Sequence, residues 1–133
     1  MKSWKILLVD DEEEFVSTLA ERLQLREIRA DTATDGEEAL SLIEAKRPHV
    51  VVLDVMMPGL SGLDVLRRIR TQYPQVQVIL LTGHGSTREG IEGMRLGAFD
   101  YLMKPIDIEE LIEKIRNAVE SSHQETSSWG WRR

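Results

Sequence analysis

Short apolar runs alternate along the chain with segments whose apolar residues recur every three or four positions. The runs Lys5–Val9, Arg29–Ala33, His49–Leu53, Val76–Leu81 and Phe99–Met103 predict five strands. The first, third and fourth are almost continuously apolar, as parallel strands covered on both faces must be. Arg29-Ala30-Asp31-Thr32-Ala33 is far more polar and suits a sheet edge. Between the runs, Phe15, Val16, Leu19, Ala20 and Leu23 share one helical face, as do Ile108, Leu111, Ile112, Ile115 and Val119.

Helix starts are marked by a capping residue with an acid three positions later. The pairs are Asp11/Glu14, Asp35/Glu38, Ser61/Asp64, Ser86/Glu89 and Asp107/Glu110. Asp is a weaker partner than Glu, so the Ser61 pair has the least support. Pro48 and Pro74 separate helical patterns from the following strands, and Gly97 predicts a left-handed cap on the fourth helix. Gly90 and Gly93 lie inside that helix at about 1 kcal/mol each relative to Ala, which predicts a marginal helix able to remodel. The order βαβαβαβαβα predicts an α/β fold, doubly wound with helices on both faces of a parallel sheet. Right-handed crossovers and the polar second strand favour the five-stranded order 2-1-3-4-5. Strands one and three then meet at the switch point, where ligands bind.

Composition narrows the function. The 133 residues fit one domain, and 41% apolar residues suffice for an ordinary core. There is no cysteine, hence no disulfide, thiolate zinc site or thiol catalysis. A net charge of −6 argues against nucleic-acid binding by this segment. No apolar run approaches a membrane span, and Met1–Lys5 does not read as a signal peptide, so a cytoplasmic setting is expected. Residues 121–133 are polar and end in two tryptophans and two arginines, predicting a flexible tail or linker stub beyond a domain spanning 1–120.

Three aspartates carry the chemistry. Asp10 and Asp11 follow the first apolar run, and Asp54 follows the third. Side by side at one sheet edge, two such charges about 4 Å apart repel by roughly 4 kcal/mol at an effective dielectric near 20. Fold stability asks for no such arrangement, whereas a divalent cation would relieve it. Thr82 ends the fourth strand and Lys104 the fifth. Taken singly, each has a plain reading: Asp11 as a helix cap, Lys104 as a solvated charge, Tyr101 as a half-buried strand aromatic. His84 reads as a loop residue beside the site, His49 as structural, and His123 as part of the tail.

The segments Ile6-Leu7-Leu8-Val9-Asp10-Asp11-Glu12, Val51–Gly62 around Asp54, Leu80-Leu81-Thr82-Gly83 and Gly97–Pro105 resemble, in order and spacing, the receiver domain of bacterial two-component response regulators. The resemblance spans residues 4–120 and implies a flavodoxin-like (βα)5 fold. It implies that Asp54 is the phosphoacceptor, taking a phosphoryl group from a sensor histidine kinase, with Lys104 and Thr82 binding the phosphoryl oxygens. It implies Mg²⁺ held by Asp10, Asp11, Asp54 and the backbone carbonyl of Met56; Glu12, Glu13 and Glu14 mainly complement the first helix dipole, with Glu12 also in place to contact a metal-bound water. It implies a cis Lys104–Pro105 peptide and space beside Gly83. It further implies that Thr82 and Tyr101 act as a switch. The face built by helix four, strand five and helix five would then engage an effector domain, a downstream protein or a second copy in a phosphorylation-dependent homodimer. Such a domain is no enzyme beyond promoting its own phosphorylation and dephosphorylation. The segment Leu81–Ile115 is most similar to receivers of sigma-54-dependent activators.

Three alternatives share features with this reading. A flavin binder would need a phosphate-cradling first loop, where this chain has Asp10-Asp11-Glu12-Glu13-Glu14. A haloacid-dehalogenase-type phosphatase needs an Asp two positions after a first-strand nucleophile, and position 12 is Glu. A receiver-like interaction module that never accepts phosphate would not require the full set of site residues.

Overall fold

In the computed structural model, the structure describes residues 3–132 except position 84, with side chains described as far as Ser121. The elements run β1 (Ile6–Val9), α1 (Glu13–Gln24), β2 (Ala30–Ala33), α2 (Gly36–Lys46), β3 (Val50–Asp54), α3 (Gly62–Gln72), β4 (Gln77–Thr82), α4 (Thr87–Arg95), β5 (Asp100–Met103) and α5 (Ile108–Arg132). The strands form one parallel sheet ordered β2-β1-β3-β4-β5, as the apolar pattern predicts.

Each apolar strand divides its side chains between two cores, because successive residues point to opposite faces. Ile6, Leu8, Val50, Val52, Ile79 and Leu81 face α1 and α5, where they meet Val16, Leu19, Leu23, Leu111 and Ile115. Leu7, Val9, Val51, Leu53, Val78 and Leu80 face the other way, against Ala39, Ile43, Val65, Leu66 and Ile69. Two-sided burial is why these runs lack polar alternation. The edge strand β2 keeps only Ala33 buried.

The caps depart from the sequence pattern in informative ways. Ser61 and Asp64 form a complete reciprocal capping box, although this pair has the least support from sequence. Asp35 caps α2 by accepting from the Glu38 N–H, but Glu38 itself accepts from Thr34 rather than from the cap residue. Asp107 accepts from the Glu109 and Glu110 N–H groups at the start of α5. Ser86 makes no cap bond to α4; its hydroxyl instead bridges the N–H and carbonyl of Gly83. Gly97 (φ +107°) closes α4 as predicted, with the Ala98 N–H bonded to the Gly93 carbonyl and the Gly97 N–H to that of Met94.

The polar segment predicted as a tail after Glu120 continues α5 as helix through Arg132. No proline interrupts it, and Gly130 is its sole glycine, so the helix has no breaker before its last turn. The glycines of α4 also have a packing reason. A Cβ on Gly93 would lie 2.3 Å from Leu80 Cδ1, and one on Gly90 would lie 2.9 Å from Thr82 Cγ2. Their low helix propensity is the cost of letting α4 approach β4 closely.

Among the described glycines, Gly62 makes the tightest approach. A Cβ there would lie 2.1 Å from the Asp54 carbonyl oxygen and 2.7 Å from Val55 Cα. Both neighbours are backbone, so neither can rotate away. Gly62→Ala should therefore cost at least the upper end of the roughly 1–3 kcal/mol typical of overpacking. Ser61→Ala, one residue earlier, should cost about 1 kcal/mol through its cap alone. Urea denaturation of both variants tests the order, and equal losses would contradict it.

Candidate functional site

Strand register assembles the site. Val9 pairs with Leu53 across the β1–β3 ladder, which brings the next residues, Asp10 and Asp54, to the same sheet edge. Asp11 follows on the loop into α1. One carboxylate oxygen from each of Asp10, Asp11 and Asp54 lies within 4.8 Å of the others. Asp10 is fully buried, Asp54 is 6% exposed and Asp11 faces solvent.

The backbone holds these carboxylates through turns rather than through the predicted cap. Asp10 Oδ1 accepts from the Glu12 N–H at 2.9 Å, and Asp54 Oδ1 accepts from the Met56 N–H at 3.1 Å. Both are aspartate side chains bonding the chain two residues on. The turn at Asp10 moves the helix start one residue later. Glu12 is therefore the N-cap residue of α1, with no side-chain cap bond. The prediction of Asp11 as that cap is corrected, and the two roles proposed for Asp11 do not compete.

Lys104 stands among the acids. Its ammonium is 2.8 Å from Asp10 Oδ2, 3.4 Å from Glu12 Oε1 and 3.8 Å from Asp54 Oδ2. It also lies 4.6 Å from the centroid of the Phe15 ring, within cation–π range. The Lys104–Pro105 peptide is cis, and the Lys104 N–H donates to the Thr82 carbonyl at 2.8 Å. Lys104 is not the solvated charge of the plain reading.

One ammonium does not balance the cluster. Asp10 Oδ2 is buried and contacts the charge of Lys104 without an aligned hydrogen bond. Asp54 has its pKa raised to about 6, first by burial and then by the negative charges of Asp10 and Asp11; the Met56 N–H and Lys104 only partly oppose this. Burial disfavours the charged form of Lys104, but contacts with Asp10, Asp54 and Glu12 outweigh it, so its pKa is raised. The donors are all oxygens, and a buried oxygen without a hydrogen bond faces the cluster. A hard divalent cation fits such a donor set.

On the opposite side, the Thr82 hydroxyl donates to the Leu102 carbonyl at 3.4 Å, so it faces β5. Tyr101 on β5 is 48% exposed, with Ile91 and Met103 also exposed nearby in the fold on α4 and β5. A Cβ at Gly83 would meet nothing within 4 Å, leaving that side of the site open. His49 is structural, its Nδ1 accepting from the Lys5 N–H. His84 and the side chain of His123 lie outside the described residues. A groove of about 680 Å³ lined by Trp4, Lys5, Arg29 and Lys46 lies at the opposite edge of the sheet and includes none of the site residues.

Three contributors escape sequence reasoning. Phe15 reads as one more core residue of an amphipathic face, yet its ring also supports Lys104. Ser86 reads as a cap, yet it ties the loop after Thr82. Gly62 gives only a weak signal, a helix-disfavouring residue placed directly after a good cap.

With this geometry in place, comparison with known proteins is decisive. Residues 6–116 match the family of the response regulator receiver domain. The chain is 42% identical over 112 residues to the response regulator MprA of Mycolicibacterium vanbaalenii, covering 84% of this chain and 48% of that protein. It is 44% identical over 119 residues to the transcriptional regulatory protein CpxR of Escherichia coli (strain K12), covering 90% and 50%. The crystal structure of the receiver domain of NtrX from Brucella abortus superposes with a TM-score of 0.81 at 34% identity, covering 86% of this chain and 98% of that one. The chain belongs to the response regulator receiver family, the phosphoacceptor domains of two-component systems. It spans about half the length of the curated relatives it matches.

The electrostatics predict two behaviours of the metal-free protein. Asp54 binds its proton more tightly folded than unfolded, so stability should rise as pH falls from 7 toward 4. Between pH 7 and 5 the gain over Asp54→Asn should be about 1 kcal/mol. Lys104 does not contribute to that slope, because its raised value places its loss of stability at alkaline pH, above its ordinary 10.5. Parallel pH profiles of wild type and Asp54→Asn would refute the prediction. Asp11→Ala removes a repelling charge and no cap, so in chelator it should raise the melting temperature.

Proposed function

We propose that Asp54 is the phosphoacceptor, charged by a sensor histidine kinase in a Mg²⁺-dependent reaction. The single observation that carries this reading is the convergence of Asp10, Asp11 and Asp54 within 4.8 Å with Lys104 among them. In its ionised form, an Asp54 oxygen attacks phosphorus. An O–P bond forms, the P–N bond to the kinase histidine breaks, and the imidazole takes up a proton as it leaves. Charge compensation and positioning account for most of what phosphoryl transfer requires.

Asp10, Asp11, Asp54 and the Met56 carbonyl would hold Mg²⁺. Bound there, Mg²⁺ would neutralise negative charge between the nucleophile and the incoming phosphoryl group. The Lys104 ammonium, 2.8 Å from Asp10 Oδ2, would pair with a phosphoryl oxygen on Asp54, while Glu12, 67% exposed at its side chain, lies at the rim where it would contact a metal-bound water. The Thr82 hydroxyl exchanges the Leu102 carbonyl for a phosphoryl oxygen. Tyr101 follows inward from its half-exposed position, and the face of α4, β5 and α5 changes. The exposed Ile91, Met94, Tyr101 and Met103 give that face the apolar character a protein partner requires.

The partner reading follows from the relatives. Half of each curated relative lies beyond the matched region, and CpxR is named a transcriptional regulatory protein. We assign residues 1–120 to the receiver, and residues 121–133 to a linker leading to an effector in a transcription regulator. The setting is cytoplasmic, and the changed face is available for a phosphorylation-dependent homodimer. Among the described residues no helix is long and apolar enough to cross a membrane.

Acetyl phosphate with Mg²⁺ should add one labile phosphoryl group, read by intact mass. Asp54→Ala or a chelator should abolish the adduct, and Lys104→Ala should slow its formation. Mg²⁺ alone should raise the melting temperature, because it binds the folded state preferentially. An adduct that survives Asp54→Ala would overturn the assignment.

A further inference from the structure

The geometry points to Gly90 as a positioning residue for Thr82: the missing side chain at Gly90 is the seat that lets Thr82 turn its hydroxyl toward β5 and away from Asp54. This inference rests on the reading of Thr82 as a phosphoryl ligand. Thr82 is only 4% exposed and is held between two elements. Its hydroxyl donates to the Leu102 carbonyl on β5 at 3.4 Å, while its methyl faces α4. A Cβ on Gly90 would lie 2.9 Å from that methyl and 3.9 Å from Thr82 Cβ. The nearest real contact a Cβ would make is thus with the one group that defines the rotamer of Thr82.

Threonine is stiff at χ1, and its methyl and hydroxyl turn together when that angle changes, so neither can move alone. A side chain at position 90 therefore cannot be absorbed by a small bend of a long flexible chain. It evicts the methyl from its seat, and the Leu102-facing rotamer loses its advantage. The hydrogen bond opposing that change is long at 3.4 Å, so little holds Thr82 back. Gly93, three residues on, makes the contrast. Its Cβ would strike Leu80 Cδ1 at 2.3 Å, with no Thr82 atom among its nearest neighbours. Both glycines let α4 lie close to β4, but only Gly90 reads the state of Thr82. The link works in both directions: movement of Thr82 toward Asp54 leaves the Gly90 surface of α4 without its partner. This gives α4 a direct mechanical connection to the phosphoryl site, separate from Tyr101.

The test is a cycle of four chains of residues 1–133: wild type, Gly90→Ala, Thr82→Ser and the double variant. Thr82→Ser keeps the hydroxyl and removes the methyl that a Cβ at position 90 would strike. In unphosphorylated protein, three-bond couplings to the labelled Thr82 methyl report χ1. Gly90→Ala should shift that rotamer population, and Gly93→Ala should not. Apparent affinity for Mg²⁺ with beryllofluoride, a phosphoryl mimic, should rise about threefold or more in Gly90→Ala, since apparent affinity scales with the competent fraction. In the Thr82→Ser background the same substitution should change affinity little. A gain that persists with Thr82→Ser would trace to helix propensity instead and overturn the inference, as would an unchanged Thr82 coupling in Gly90→Ala. Should wild type bind no beryllofluoride, the phosphoacceptor reading fails, and the methyl coupling still decides whether Gly90 sets Thr82.

Discussion

One unbalanced charge cluster governs this molecule. The parallel register of β1 and β3 places Asp10 and Asp54 together, and the turn after β1 adds Asp11. Among the described residues, Lys104 is the cation that reaches Asp10 and Asp54, and Asp10 Oδ2 has no aligned hydrogen bond. Removing one partner from a buried ionic contact is costly, because the charge left behind has no water to turn to. The cluster is therefore stable only in company, and every species that enters or leaves it shifts the others. Lys104 holds its ammonium within 4 Å of Asp10, Glu12 and Asp54, so it brings positive charge to the middle of this cluster.

The surrounding fold works to hold that cluster at one edge. The two cores on either side of the sheet bury β1, β3 and β4 completely, so the strand ends cannot drift. Gly62 brings the start of α3 against the Asp54 backbone, and the capping box at Ser61 fixes where that helix begins. The Lys104 N–H is bonded to the Thr82 carbonyl, so the lysine and the threonine share one backbone link. Asp54 ends β3 and the other charged groups stand just beyond strand ends, whereas the proposed switch residues, Thr82 and Tyr101, lie within β4 and β5. A site built this way can convert a local change in charge into a change of packing on a neighbouring face.

Much of this was legible in the chain. The apolar runs mark five strands, and their polarity identifies β2 as an edge. The positions of Asp10, Asp11, Asp54, Thr82 and Lys104 at run ends place them at a common sheet edge before any coordinates are considered. These readings succeed because strand burial and side-chain alternation are imposed locally, by periodicity. The cap at Asp11 misled because Asp10 forms a competing turn, and the choice between two adjacent aspartates depends on which one the sheet buries. The polar segment after Glu120 lies within α5, since polarity describes what a helix packs against and only a breaker stops its backbone.

By itself, then, the sequence determined the fold class, the strand order and the set of charged residues at the site, since each follows from patterning over a few residues. Tertiary structure decided what those residues do to one another. It chose Lys104 rather than solvent as the partner of Asp10, turned Thr82 toward Leu102, and set Phe15 beneath an ammonium. It also turned three glycines from weak helix residues into contact surfaces, at Gly62, Gly90 and Gly93. Distances between elements far apart in the chain decide such matters, and no local pattern records how closely two backbones will approach.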